Sequence, residues 1–313
     1  MKNTPVILLE ENENRIFIKR DDFIPVSFGG NKARKALKFF GEIDAGGYDC
    51  VVTYGSSSSN HCRIISNMSK SRGLPCTIIS PEEESEETFN SRLMELFDAS
   101  IITVPVAEVS KTIEHTLQKL REQGKKPYFI AGGGHGNQGT QAYVECFEEI
   151  MDFEKALEEK YDYIFHASGT GTTQAGLVCG KLINNKETTI VGISIARRNP
   201  RGRQVVVDSV NEYLNEKGYS FSPEQVEKAV EFTDLYIGDG YGKKSASVDE
   251  AIKEMMCKHG IPMDSTYVGK AYWGMKQYIQ SEKLKNKNIL FIHTGGTPLF
   301  FDDLNRFCDK DEK

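Results

Sequence analysis

The 313-residue chain predicts an α/β fold of two domains, each a largely parallel twisted sheet with helices on both faces. Short apolar runs rich in β-branched residues alternate with longer amphipathic segments, the pattern of strand–helix–strand units. Four of these runs are followed by loops rich in Gly, Ser, Thr and His, where the ligands of open parallel sheets sit. The composition, 39% hydrophobic and 27% charged with 28 glycines and 10 prolines, is that of a globular protein long enough for two cores.

In chain order, RIFIKRDD reads as a strand and Lys32 to about Asp44 as a helix. YDCVVTYG is a strand, and NHCRIISNMSKSRG is a helix that stops at Gly73, where glycine favours a C-terminal cap. PCTIIS, SIITVPV and KPYFIAGGG are strands separated by the helical segments EETFNSRLMELFDA and VSKTIEHTLQKLREQG. QGTQAYVECFEEIMDFEKALEEK is a long helix leading into the strand YDYIFHAS. A second series follows: TTQAGLVCGKLIN and VDEAIKEMMCKHG as helices, TTIVGISIA and NILFIHTGG as strands.

The net charge of −6 offers no broad basic surface, which argues against nucleic acid as a partner. Seven scattered cysteines without a CxxC pair suggest neither a metal site nor a disulfide framework, and read as buried thiols in a reducing compartment. No run of about 18 apolar residues suggests a membrane span, so a cytoplasmic protein is expected.

The four loops are YGSSSSNH, AGGGHGNQG, HASGTGTTQAG and HTGGTP. In SGTGTTQAGL the glycines let backbone N–H groups converge, the hydroxyls add donors, and the following helix aims its positive end at the same point. On physical grounds that is a phosphate cup, with a structural turn as the alternative when the motif stands alone. It lacks the Lys-Ser/Thr of a nucleotide-binding loop and the spacing of a dinucleotide fingerprint, so a cofactor with one phosphate is implied. Alone, Lys32 in FGGNKARK reads as a solvated lysine in the first turn of a helix. Beside such a cup, a lysine able to form a Schiff base points to an aldehyde with one phosphate, pyridoxal 5′-phosphate.

The order FGGNKxRK, SSNH, GTGTTQAG, DSTYVGKA and HTGGTP resembles the tryptophan synthase β-like, fold-type II pyridoxal phosphate enzymes. Within them it is similar to the family of D-cysteine desulfhydrase and 1-aminocyclopropane-1-carboxylate deaminase, from about Ile18 to Phe300. The resemblance makes Lys32 the Schiff-base lysine and the base for the Cα proton. It sets Asn60 against the pyridine 3′ oxygen, and Ser59 against the substrate carboxylate or proton path. Gly169, Thr170, Gly171, Thr172 and Thr173 match the phosphate cup, with the Thr172 side chain leaning outward or supplying a hydroxyl. Tyr267 and Tyr241 match active-site tyrosines. Val268 stands where the deaminase has a glutamate facing the pyridine nitrogen, and Thr294 matches the threonine that faces it in desulfhydrase-like members, with which His61 also sides.

A neutral hydroxyl there leaves a weaker electron sink, suited to α,β-elimination from a small amino acid, giving a 2-oxo acid and ammonia. The substrate stays open among D-cysteine, cysteate, a 3-chloroalanine-like acid and a 2,3-diamino acid, with Val268 and Ser56 to Ser59 as the expected specificity positions. Cyclopropane ring opening, racemisation and β-replacement are alternatives within the fold, and a non-catalytic binder of a phosphorylated metabolite is the alternative from another class. The resemblance implies a homodimer, with a large cofactor domain of residues 1–45 and 161–313 and an inserted small domain of residues 46–160. Arg34 and Lys35 are expected to be solvated. His135 is read as either charging near a substrate acid or facing solvent, His293 as either capping a sheet or touching substrate, and IARRNPRGRQ as either covering the cofactor mouth or lining a loop.

Overall fold

The computed structural model describes residues 3–84 and 87–308. Its strands are β1 (Val6–Glu11), β2 (Arg15–Arg20), β3 (Cys50–Tyr54), β4 (Cys76–Pro81), β5 (Ser100–Val104), β6 (Pro127–Ile130), β7 (Tyr163–Ser168), β8 (Thr189–Ser194), β9 (Glu231–Thr233) and β10 (Asn288–His293). Its helices are α1 (Asn31–Gly46), α2 (Asn60–Lys70), α3 (Phe89–Leu96), α4 (Val109–Glu122), α5 (Asn137–Leu157), α6 (Thr172–Ile183), α7 (Arg201–Glu216), α8 (Pro223–Ala229), α9 (Ala246–His259), α10 (Val268–Ser281) and α11 (Thr297–Cys308). A six-stranded sheet runs β1-β2-β10-β7-β8-β9, and a four-stranded sheet runs β5-β4-β3-β6. The β1–β2 pairing is antiparallel and the others are parallel, as the alternating pattern predicts.

Elements outside the predicted set have weak local signals. The β1 run VILLEE lies at a sheet edge, is only partly buried and carries acids at its end, so it lacks the continuous apolar character of a central strand. β9 has three residues. Helices α7, α8, α10 and α11 also fall outside the segments read from sequence.

Both faces of the larger sheet are covered, which is why its strands read as near-continuous apolar runs. Ile164, Leu290 and Ile292 join the core under α5, α6 and α7, whereas Phe165, Ile289 and Phe291 join the core under α9 and α10. The smaller sheet packs on α1 and α2 through Val51, Ile78 and Ile130, and on α4 through Val52 and Ile79. The apolar stripe of α1 (Ala33, Ala36, Phe40, Ile43) lies in the smaller sheet's core, while that of α5 (Tyr143, Cys146, Phe147, Ile150) lies in the larger sheet's core. Because α1 and α5 also pack on each other, they stitch the two sheets together.

Strand order explains where function gathers. In the larger sheet the chain runs outward from β7 through β8 to β9, and β10 returns to the other side of β7; in the smaller one β3, β4 and β5 run outward and β6 returns beside β3. Each sheet therefore has a switch point, between β7 and β10 and between β3 and β6. The four Gly/Ser/Thr/His-rich loops are those that follow these four strands.

Candidate active site

The loops meet around a cavity of about 360 Å³, large enough for a small-molecule site. At its floor the chain enters α1 through Gly29 (φ 62°) and Gly30 (φ 94°). A Cβ on Gly29 would lie 2.3 Å from Asp22 O, and one on Gly30 2.5 Å from Thr294 O. The glycines are thus required by backbone packed on backbone as well as by left-handed φ. Asn31 seals the joint: its N–H donates to Thr294 O (3.0 Å) and its Nδ2 to Thr173 Oγ1 (3.1 Å).

One residue on, Lys32 lines the cavity and donates from Nζ to Gly133 O at 3.0 Å. Burial lowers its ammonium to about 8.

The next two cations correct the expectation that both are solvated. Arg34 and Lys35 are 3% and 1% exposed. Arg34 donates to Asp21 (Nε 3.0 Å, Nη2 2.8 Å) and to Glu149 (Nη1 2.6 Å), while Lys19 Nζ reaches Glu149 (2.8 Å) and Thr4 Oγ1 (2.7 Å). Tyr143 and Thr4 hydroxyls also donate to Asp21, each at 2.8 Å. This balanced network clamps β2, the glycine turn, α1 and α5, and so sets the position of Lys32. Burial alone would raise the Asp21 carboxyl, but Arg34 and Lys19 bring it down to about 2. A folded-state value below the ordinary carboxylate range contributes stability that is present above about pH 4 and lost as pH falls through about 2. Thermal melts between pH 4.5 and 2 are expected to lose about 2 kcal/mol through this group. Asp21→Asn, destabilised throughout, should show a correspondingly shallower acid slope, and an unchanged slope would place the acid sensitivity elsewhere.

Lys35 differs from Arg34. Its Nζ has no hydrogen-bond partner among the described residues, and burial, then repulsion from Lys32, hold it well below the usual lysine range. It lies one turn beyond Lys32 on the same face of α1, against Gly134, and its charge also depresses His61 and His135. This buried lysine, its Nζ 6.0 Å from the centre of the Tyr143 ring and without a hydrogen-bond partner among the described residues, is the residue that sequence reasoning missed. Its only local signal, the i+3 spacing from Lys32, is the same on a solvated face.

The cup opens from β7. Gly169 and Thr170 line the cavity, whereas Gly171, Thr172 and Thr173 stand behind the wall at the start of α6. Thr172 Oγ1 meets His135 Nδ1 at 3.0 Å, so its hydroxyl is engaged by a half-buried loop histidine that does not line the cavity. The first N–H groups of α6 have no acceptor within the helix and are able to donate to an anion at this helix end.

From the smaller sheet come Ser56, Ser59, Asn60 and His61, all in the cavity wall. Ser59 caps α2 by accepting from Cys62 N (3.2 Å). Asn60 Oδ1 accepts from Asn90 Nδ2 (3.0 Å) and Arg63 Nη2 (3.3 Å), which leaves the Asn60 NH₂ as the end able to donate to a ligand oxygen. Thr53 Oγ1 gives its one proton to Ile130 O (2.7 Å), so the 2.9 Å contact with His61 runs from Nε2–H to Thr53. Burial, then Lys32 and Lys35, keep His61 neutral.

The opposite wall holds Thr294, Tyr267 and Tyr241, the two tyrosine hydroxyls hydrogen-bonded to each other. Buried Asp264 anchors this side by accepting the N–H groups of Thr266 (2.9 Å), Tyr267 (2.6 Å) and Val268 (3.2 Å). Val268 itself, expected to face the ligand, points inward: it is 1% exposed and packs in the core with Ile252 and Val248. His293 does not line the cavity; its Nε2–H donates to Pro262 O (2.8 Å) and its Nδ1 accepts from Gly295 N (3.3 Å), a cap at the strand end. Arg197, from the basic cluster, does line it. Among the described residues no acid does.

Comparison with known proteins gives a consistent picture. The chain matches the family model described as "Pyridoxal-phosphate dependent enzyme" over residues 1–295. It is 31% identical over 283 residues to the "Putative 1-aminocyclopropane-1-carboxylate deaminase" of Pyrococcus furiosus, covering 90% of this chain and 84% of that one. It is 29% identical over 294 residues to the "D-cysteine desulfhydrase" of Yersinia enterocolitica, covering 91% and 88%. A crystal structure described as an "ACC deaminase homologue" superposes with a TM-score of 0.87 at 30% identity, over 97% of this chain and 93% of that one. The cysteine synthase of Entamoeba histolytica shares the fold at 16% identity and a TM-score of 0.68, over 99% and 89%. Among the described residues, no helix is long and apolar enough to cross a membrane.

Proposed function

The chain belongs to the pyridoxal-phosphate dependent enzymes, and from that premise we propose that it is a lyase acting by α,β-elimination on a small amino acid, in the manner of D-cysteine desulfhydrases. The carrying observation is the acid-free cavity wall in which Lys32 and Thr294 both stand. Bound pyridoxal 5′-phosphate withdraws electrons from the Cα of an amino acid. The cup before α6 would hold its phosphate, with Lys35 behind the wall favouring it through space, the Asn60 NH₂ would meet its ring oxygen, and the hydroxyl of Thr294 its ring nitrogen.

Lys32, an amine brought near neutrality by burial, takes the Cα proton at Nζ. Ser59 and the N-terminus of α2 receive the substrate carboxylate. The hydrogen-bonded pair Tyr241 and Tyr267 holds a proton at the side of the cavity toward the leaving group. The Cα–H and Cβ–X bonds break, X departs with the bonding pair, and water converts the released enamine to a 2-oxo acid and ammonium. Cyclopropane ring opening, the activity named for the archaeal relatives, is disfavoured because the residue after Tyr267 is an inward-facing valine and supplies no carboxylate to the cavity.

The test is release of ammonium and pyruvate from D- and L-3-chloroalanine and D-cysteine by the holoenzyme. Both products in equal amounts are expected from at least one of them. Exchange of the Cα proton with deuterium and no ammonium would replace elimination by racemisation. The same reading takes the larger sheet as a cofactor domain and the smaller as an inserted domain that closes over the substrate, in a cytoplasmic homodimer; because α1 packs in the smaller sheet's core and α5 in the larger's, the boundaries lie ahead of these two helices rather than at residues 46 and 160. Free thiols support a reducing compartment, and five of the seven, Cys50, Cys62, Cys76, Cys146 and Cys179, are buried as expected, whereas Cys257 and Cys308 are exposed. Small-angle scattering with and without substrate reads both mass and closure, and a monomer of unchanging dimensions would remove both.

A further inference from the structure

Arg63 is a buried cation that the proposed chemistry leaves out. It lies one turn into α2, three residues after Asn60, and is fully buried. Its Nη1 donates to Ser27 O and its Nη2 to Asn60 Oδ1 (3.3 Å), the guanidinium lies 5.5 Å from the centre of the Phe28 ring, and Nε has no hydrogen-bond partner among the described residues. Each of these acceptors is a neutral oxygen. Among the described residues no acid offsets the charge: burial alone lowers the guanidinium, to about 9, so it stays a cation at neutral pH. Ser27 and Phe28, which present the carbonyl and the ring, hold φ of 43° and 63°, a region that non-glycine residues rarely adopt. A buried charge without a counter-ion, met by strained backbone, costs stability on both counts.

Asn60 is what the charge serves. Its Oδ1 takes both Asn90 Nδ2 (3.0 Å) and Arg63 Nη2, and the residue lines the cavity, so the amide stands between Arg63 and the ligand space. A cation on the carbonyl end of an amide draws electron density from its nitrogen and strengthens the N–H groups as donors. Resting on the cofactor placement proposed above, we infer that Arg63 is a positioning residue for pyridoxal 5′-phosphate: with Asn90 it fixes which way the Asn60 amide points, and its charge, passed through that amide, makes the Asn60 NH₂ a strong donor to the acidic ring oxygen. The turn that delivers Lys32 is held without Arg63, because Gly29, Gly30 and Asn31 pack on or bond to Asp22, Thr294 and Thr173. Loss of Arg63 therefore acts on the ring oxygen and leaves the amine in place.

The experiment titrates the full chain, freed of cofactor, with pyridoxal 5′-phosphate and with 3-deoxypyridoxal 5′-phosphate, the same aldehyde without the ring oxygen, and reads affinity by calorimetry. Wild type is expected to prefer the natural cofactor. In Arg63→Met that preference should fall about tenfold, the size of a unit-charge interaction at close range, with affinity for the 3-deoxy compound unchanged. In an Asn60→Ala background the same substitution should change neither affinity, since the path to the oxygen is gone. Arg63→Lys, which keeps the charge, should retain part of the preference. Where Arg63→Met does not fold, Arg63→Gln, neutral but still able to bond Asn60, carries the same cycle with the same expected fall. An equal loss for both compounds assigns Arg63 to the packing of α2 and overturns the inference, as does a loss in the Asn60→Ala background as large as that in wild type. Wild-type binding that ignores the ring oxygen removes Asn60 as its partner and the inference with it, leaving the cofactor in place. Binding of neither compound defeats the cofactor placement itself, and the inference falls with it.

Discussion

Lys32→Ala is expected to abolish the visible absorbance band of the purified protein and to lower turnover by roughly 10²- to 10⁴-fold, the range for removing a positioned general base. Three features single out this lysine. It is the residue delivered by the Gly29–Gly30 turn, whose packing on Asp22 and Thr294 leaves little freedom in where α1 begins. Its amine, lowered to about 8 by burial, is uncharged in a useful fraction of molecules near neutral pH, as a nucleophile or base must be. It also faces the cavity, which Lys35 does not. Borohydride reduction of the wild-type holoenzyme followed by peptide mapping should place the adduct on Lys32. A Lys32→Ala protein that stays coloured after gel filtration, or a reduced adduct on Lys35, would defeat this assignment.

The contrast between Lys32 and its neighbours marks how far the sequence is legible. Strands buried on both faces announce themselves because apolar residues stand at consecutive positions, as in the CVV of CVVTY and the YIF of YIFHAS. The four functional loops are equally plain, since strand ends followed by Gly, Ser and Thr are where backbone donors can converge. What a single sequence conceals is the partner of a buried charge. Arg34 and Lys35 look alike on a helical wheel, yet Asp21 and Glu149, from β2's end and from α5, take Arg34 and leave Lys35 bare. Nothing local in KARK encodes a contact made 115 residues away.

Val268 is a second case. Its place after Tyr267 suggests a ligand-facing side chain, but it opens α10, and the N–H groups gathered by Asp264 turn that first helical turn so that the valine enters the core. The glycines of the turn are a third. Their type is legible as permissive backbone, but the contact that demands them is with Asp22 and Thr294.

Lys35→Met should act with opposite signs on the apoprotein and the holoenzyme. In the apoprotein a buried ammonium without a hydrogen-bond partner is a cost, because burial penalises the charged form. The unfolded lysine keeps a value near 10.4, so between the depressed folded value and that figure the unfolded chain holds more protons and stability rises with pH. Methionine fills a similar volume without charge, so the apoprotein variant should melt higher at pH 7 and lose much of that alkaline rise. With cofactor the sign reverses: the missing positive charge behind the cavity wall should weaken binding about tenfold through lost Coulomb attraction to the phosphate, read by the return of colour on titration with pyridoxal 5′-phosphate. Pyridoxal, which lacks the phosphate, should bind wild type and variant alike. If the variant melts lower without cofactor and binds pyridoxal 5′-phosphate as tightly as wild type, Lys35 is packing for Tyr143 and α1, and the phosphate is neutralised by the helix end alone.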